Sequence, residues 1–427
     1  MVLLPNALKI RSNHLLLLSI SPTTMKKLIL FLYLLHFNAV AQIEPYVQEV
    51  EEACTVFSSL WNKNLYAPLL FVEPQSRKIY TIKPGESLVE GILPDSVNLG
   101  NTSIHWNGTH WAMLILPLPQ DKTGRIQLLT HELFHRAQKD LGFEQNNPDC
   151  SHLNDKDGRI YLRLELEALK LALEETTRQD FHLQNALYFR QKRHSLYPAK
   201  VQNENLLEMN EGLAEFTGII HSNRTKQDTK TYFRSAIDRF IKSPTYVRSF
   251  AYQTIPVYGY LLRQKDVKWN QKLNNDSNLT QIFLDAWGTA VADENVYQGA
   301  LIREEEEIRA ETNRKRALAY KAQLIDQAHV VLPLEKMNIS FDPRNIFPLP
   351  PYGTVYPTLT VIDNWGKLTV NSEALISEDW KEVRVSLPKY NPQMNLVQGE
   401  GWELNLNEDY SLIESDKGTF TISKKSP

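Results

Sequence analysis

The spacing of apolar residues changes period for good near Leu332, and that change constrains the fold more than any other feature. Before it, apolar side chains recur every three to four residues, the repeat of one helix face. Ile126, Leu129, Leu133 and Ala137 form one such stripe; Leu162, Leu166, Leu169 and Leu173 form another. The pattern predicts helices over 124–141, 159–177, 203–222, 229–242, 249–263 and 279–287, with Gly142 placed as a C-cap glycine after the first. The stretch REEEEIRAETNRKRALAYKAQ, within 294–331, reads as a helix with a solvated, charged face. Pro333, Pro343, Pro348, Pro350 and Pro351 then interrupt the chain as a linker does. Beyond Leu332 the segments TVYPTLTVIDNWGKLTV, EVRVSLP and GTFTISKK alternate apolar and polar residues, the period of strands.

The region ahead of the helices is mixed. Ile43, Val47, Val50, Cys54, Phe57 and Leu60 predict a helix over 43–60. Residues 69–72 and 78–82 read as short strands, and Gly85, Gly91, Gly100 and Gly108 mark a loop-rich stretch. WAMLILPL, at 111–118, reads as a buried strand ended by Pro117. The expected fold class is therefore α+β: a mostly helical domain over 43–330 with strands at its start, then a small all-β domain over 331–427. A chain of 427 residues is too long for one ordinary core, which agrees with two domains. A net charge of −3 gives no basic excess for nucleic acid and no solvating acidic tail.

Residues from Met25 read MKKLILFLYLLHFNAVAQ. Lys26 and Lys27 make a positive start, an apolar run follows, and Ala39-Val40-Ala41 is a small-residue cleavage site. These are the three parts of a secretory signal peptide over 25–41, cut near Ala41. Residues 1–24 then read as an upstream extension of a chain that starts at Met25; the rival reading is a membrane anchor that uses Leu15 to Leu18 as well. The apolar run is too short for a comfortable membrane span, so the mature chain is expected outside the cytoplasm without an integral span: secreted, periplasmic or at the cell surface. Cys54 and Cys150 are compatible with one disulfide or two buried thiols, and are too few for a cysteine metal site.

The chemistry concentrates in His131-Glu132-Leu133-Phe134-His135. Histidines four apart on a helix project from one face a turn apart, the spacing that lets two imidazoles hold one zinc ion. Glu132 is next to the first ligand and placed to act as general base on a water at the metal. Catalytic zinc takes a third protein ligand, and Asn210-Glu211-Gly212-Leu213-Ala214-Glu215-Phe216 offers acidic residues one turn apart on a later helix. Gly212 and Ala214 allow close helix packing there.

With these motifs the chain resembles the gluzincin zinc metallopeptidases, which include thermolysin-like peptidases and zinc aminopeptidases. The resemblance implies a zincin-like catalytic domain in which Glu211 is the third Zn2+ ligand. It implies that Asn210 and Glu215 support the site, Glu215 by hydrogen-bonding a ligand histidine. It also implies a tyrosine that stabilises the oxyanion, for which Tyr252 and Tyr258 are the candidates. The strand over 111–116 would be the edge strand that lines the substrate cleft. Two features depart from the family. His135 and Glu211 stand 76 positions apart (211 − 135), far more than is common in it. The Gly-Ala-Met-Glu-Asn signature of the aminopeptidases is absent but for Ala112-Met113. Glu165 and Glu167 lie in the long insert and read as surface residues or as supports of the ligands.

The reading is thus a zinc-dependent peptidase, a hydrolase acting on a peptide or protein substrate. Two rivals stay open: a metal-binding interaction protein that works through its β domain, and a zinc amidase acting on a non-peptide amide. His105 and His110 are expected in a loop beside the cleft; His152, His182, His194, His221 and His329 are expected at the surface. No phosphate loop, dinucleotide fingerprint or Gly-x-Ser-x-Gly elbow is present.

Overall fold

A computed structural model describes residues 43–342, 345–389, 396–416 and 418–425. The expected signal peptide at 25–41 and the segment 1–24 lie outside the described residues. The fold is α+β, with strands near the start, a helical middle and an all-β end, as the change of period predicts. By internal contacts the chain divides into two compact units. One runs to Ala137 and takes in Ile220–Asn223; the other comprises Gln138–Ile219 and Arg224–Pro427.

In the first unit a helix, α1, covers 43–56. Five strands follow: β1 (Leu69–Val72), β2 (Lys78–Ile82), β3 (Val89–Ile92), β4 (Thr102–Trp106) and β5 (Thr109–Ile115). They form one sheet in the order β3-β2-β1-β5-β4, parallel between β1 and β5 and antiparallel elsewhere. One face packs Leu70, Val72, Ile79, Trp111 and Met113 into a core. The segment expected to be a loop around His105 and His110 is instead a tight hairpin. Asn107 and Gly108 both take positive φ (48° and 71°), the two-residue turn that suits twisted strands. The strand of 111–116 is accordingly not at the edge of the sheet, because β4 covers it. The helix α2 (Lys122–Ala137) completes this unit's main elements.

The second unit opens with the helices α3 (Lys156–Glu174), α4 (Gln179–Leu196), α5 (Val201–Leu207) and α6 (Leu213–His221). It continues with α7 (Lys226–Phe240), α8 (Ala251–Leu262), α9 (Leu279–Trp287) and α10 (Gly299–Lys321). α10 is the charge-rich segment, and its face is not wholly solvated. Glu306 is buried and accepts from Arg159 Nε at 2.7 Å and Arg163 Nη1 at 2.9 Å.

The strands from His329 onward build, among the described residues, a seven-stranded and a six-stranded sheet. Their inward residues, Val330, Val361, Leu368, Val383, Val385 and Leu404 among them, share one core with Trp365. The expected boundary at 330/331 falls inside the second unit, where the architecture changes without a break in packing. Tyr320 and Leu324 at the end of the helical part join Leu349, Val355 and Leu375 in one cluster.

Several expected surface residues are buried. His152, His182, His221 and His329 are enclosed rather than exposed. His182 faces the Tyr297 hydroxyl at 2.9 Å, and His329 Nδ1 donates to the Gln327 carbonyl at 2.8 Å. Cys54 and Cys150 are both free, buried thiols, and burial pushes each up to about 12.

Candidate metal centre

α2 is a regular helix on an apolar bed. Leu129, Leu133 and Phe134 are sealed from solvent, and each such side chain contributes about 1.5–3 kcal/mol by its burial. Asp121 caps the start: its Oδ1 accepts from the Gly124 amide at 2.6 Å and from Thr123 Oγ1 at 2.8 Å. Arg125 ties the same turn to α1, stacking on Tyr46 at 3.8 Å and donating to Glu49 Oε2 at 2.7 Å. At the other end Arg136 Nε donates to the His110 carbonyl of β5 at 2.8 Å. Within this frame His131 and His135 lie one turn apart, with ring centroids 4.8 Å and Nε2 atoms 3.1 Å from each other. His131 and Glu132 are buried, 6% and 4% exposed, and His135 is half-buried.

Glu211 sits on a different kind of helix. α5 and α6 are one continuous rod interrupted by a π-helical turn at Glu208–Gly212. A π turn inserts one extra residue into the rod, a distortion that is frequent at functional sites. Gly212 lets α8 approach it, since a Cβ there would stand 2.7 Å from Ile255 Cβ. The expected close packing at Gly212 is therefore present. Glu211 Oε1 accepts from Asn210 Nδ2 at 3.1 Å, and Asn210 Oδ1 accepts from Gln138 Nε2 at 2.9 Å. The Tyr252 hydroxyl donates to Glu211 Oε2. Pro256, inside α8, has no N–H to give the Tyr252 carbonyl, so that turn lacks its usual ladder bond.

The same rod is also anchored by buried charge. Glu204 and Glu208 are four apart and both sealed. Arg190 donates to both oxygens of Glu208, at 2.7 and 3.0 Å, and through Nε to Glu165 at 2.7 Å. Arg193 forks onto Glu204 at 2.8 and 2.9 Å and reaches Glu165 at 2.7 Å. His152 Nε2 adds a 2.7 Å contact to Glu204, and Thr254 Oγ1 a 2.6 Å bond to Glu208. Burial alone raises the Glu204 carboxyl, but Arg193 and the histidine hydrogen bonds outweigh it and hold that group well below its ordinary range. At Glu208 burial wins over Arg190, and the carboxyl is raised.

His131, His135 and Glu211 form a group that could hold a metal ion, each offering one ligand atom, with these atoms within 4.8 Å of one another. The other expected residues fall into two classes. Asn210 supports Glu211 directly, and Glu215 accepts from Tyr232 at 3.1 Å. Tyr252 touches Glu211, its one phenolic proton donated to Oε2 of that carboxylate. Tyr258 is withdrawn altogether: it is fully buried and donates to Glu165 Oε1 at 3.0 Å. Burial and then Glu165 raise its hydroxyl well above the ordinary range, so it stays protonated. Glu165 is not a surface residue, and its oxygens are bound by Arg190 and Arg193. Glu167 pairs with Lys170 at 3.0 Å.

Sequence reasoning missed Gln138, Tyr232 and the arginines of α4. Gln138 and Tyr232 carry no pattern of their own; they act through partners far along the chain. The arginines gave no sign either, because Gln191, Lys192 and His194 around them read as an ordinary polar helix face.

Compared with known proteins, the chain matches no family model, no curated protein and no solved structure.

Proposed function

We propose that this chain is a zinc-dependent peptidase whose metal is held by His131, His135 and Glu211. The observation that carries the reading is the convergence of those three ligand atoms. The donor set is two imidazoles and a carboxylate, one of the sets that catalytic zinc takes while keeping a position open. The histidine pair fits as well. Two nitrogens on one tetrahedral zinc stand ~3.3 Å apart, and the two Nε2 atoms are 3.1 Å apart.

Bound there, zinc would act as a Lewis acid and bring the pKa of a water towards neutrality. The chain's own residues supply the rest. Glu132 follows a ligand directly and is buried, which suits a carboxylate that takes a proton from water and hands it to the departing amine. Asn210 and Tyr252 hold the two oxygens of Glu211 in place, so we assign Tyr252 as a positioning residue. The signal-peptide pattern at 25–41 supports export, and no helix among the described residues is long and apolar enough to cross a membrane.

Glu132→Gln tests the mechanism. It should keep the metal and lower peptide hydrolysis by about 10²–10⁴-fold. Hydrolysis at the parent rate with metal retained would remove Glu132 as the base.

A further inference from the structure

The turn before the strand Glu382–Ser386 holds an aromatic ring out to solvent at a cost to its own backbone. Trp380 is 41% exposed and has φ of 58°, which a bulky residue adopts only where its surroundings impose it. The surroundings do so here. Ser377 N donates to the Glu382 carbonyl and Trp380 N to the Ser377 carbonyl, both at 3.0 Å. Ser377 Oγ accepts from the Lys381 and Glu382 amides at 3.1 Å. The Lys381 ammonium is taken by Asp379 at 3.1 Å.

Beside the ring is a cleft of about 250 Å³, with Pro348, Pro350, Tyr356 and Ile376 among its apolar lining and Thr354, Ser377 and Glu378 as its polar part. Among the described residues no lysine or arginine lines it, and Glu378 has no hydrogen bond or ion pair. The cleft thus combines a partly exposed indole set edge-on to Tyr356, mostly apolar walls and an uncompensated carboxylate.

Elsewhere this chain completes such a pairing with a guanidinium. Arg125 lies 3.8 Å over Tyr46 and bonds Glu49 at 2.7 Å. Arg159 lies 3.5 Å over Tyr246 and bonds Glu306 at 2.7 Å. At Trp380 and Glu378 the ring and the carboxylate are present without the cation. A guanidinium is planar, weakly hydrated and able to fork onto a carboxylate, which suits apolar walls better than a compact, strongly hydrated ammonium does.

We propose that this cleft binds an arginine side chain presented by another polypeptide. The site owes nothing to the metal reading and stands or falls apart from it. Calorimetric titration of the full chain with N-acetyl-arginine amide, N-acetyl-lysine amide and N-acetyl-citrulline amide tests it, because citrulline keeps the shape and loses the charge. The arginine amide should bind, and the citrulline amide should bind at least about tenfold more weakly, with the lysine amide between them. Glu378→Gln and Trp380→Gly should each weaken arginine binding by about tenfold or more. Equal binding of the citrulline amide, unchanged affinity in both variants, or no saturable heat with the arginine amide would overturn it.

Discussion

The two helices that carry the candidate ligands are built on opposite plans. α2 is regular, caps itself with Asp121 and buries an apolar stripe, so its histidines follow from i,i+4 spacing alone. The rod of α5 and α6 is broken by a π turn at Glu208–Gly212, and its anchoring side is charged. In the first case local sequence dictates where the ligands point. In the second, the ligand's place depends on arginines of another helix and on a tyrosine 41 positions away. A ligand held by local structure withstands change at a distance; one held by a long-range network does not.

Substitutions can break or sharpen this contrast. The largest effect is expected from Arg190→Met, which leaves Glu208 buried without its guanidinium and Glu165 with Arg193 alone. It should cost about 3–5 kcal/mol in urea unfolding. A loss within about 0.5 kcal/mol, the range of neutral surface changes, would mean that the charge network does not anchor the rod.

Tyr252→Phe comes next and separates two roles. If the hydroxyl positions Glu211, metal affinity should fall about 10–100-fold. If it serves an oxyanion instead, metal affinity should hold while kcat falls by about 10²–10³. Competition with a chelator together with steady-state kinetics distinguishes them, and the hydrogen bond to Glu211 predicts the first.

The smallest effect is expected on the locally built helix. Asp121→Ala removes the cap of α2 and should cost about 1 kcal/mol, with metal affinity nearly unchanged. A loss of metal as large as that of Tyr252→Phe would erase the contrast.

The same contrast explains what could be read from the residues alone. Strands at 69–72 and 78–82, the helix at 279–287 and the β-rich end all follow apolar periodicity, and the structure has them. α4 was not predicted, and its inward face shows why. His182, Asn185, Arg190 and Arg193 are buried where a helix usually places apolar residues, so the stripe is interrupted. Arginines in that position make sense only with Glu165, Glu204 and Glu208, which lie on other elements. The hairpin at Asn107-Gly108 had a local signature, yet the surrounding glycines masked it as loop. At the candidate site, His131, Glu132 and His135 stand out by spacing, and Glu211 by the resemblance. The choice between Tyr252 and Tyr258 needed coordinates, because both lie on α8 and only burial and hydrogen-bond partners tell them apart.

The central claim is that His131, His135 and Glu211 hold one metal ion. The direct measurement is metal content by mass spectrometry of the purified protein beside Glu211→Ala, with folding of both checked by circular dichroism. The account predicts close to one zinc per chain in the parent and a large loss in a folded variant. Equal zinc in both, or a folded parent that takes up no zinc when it is supplied, would contradict it.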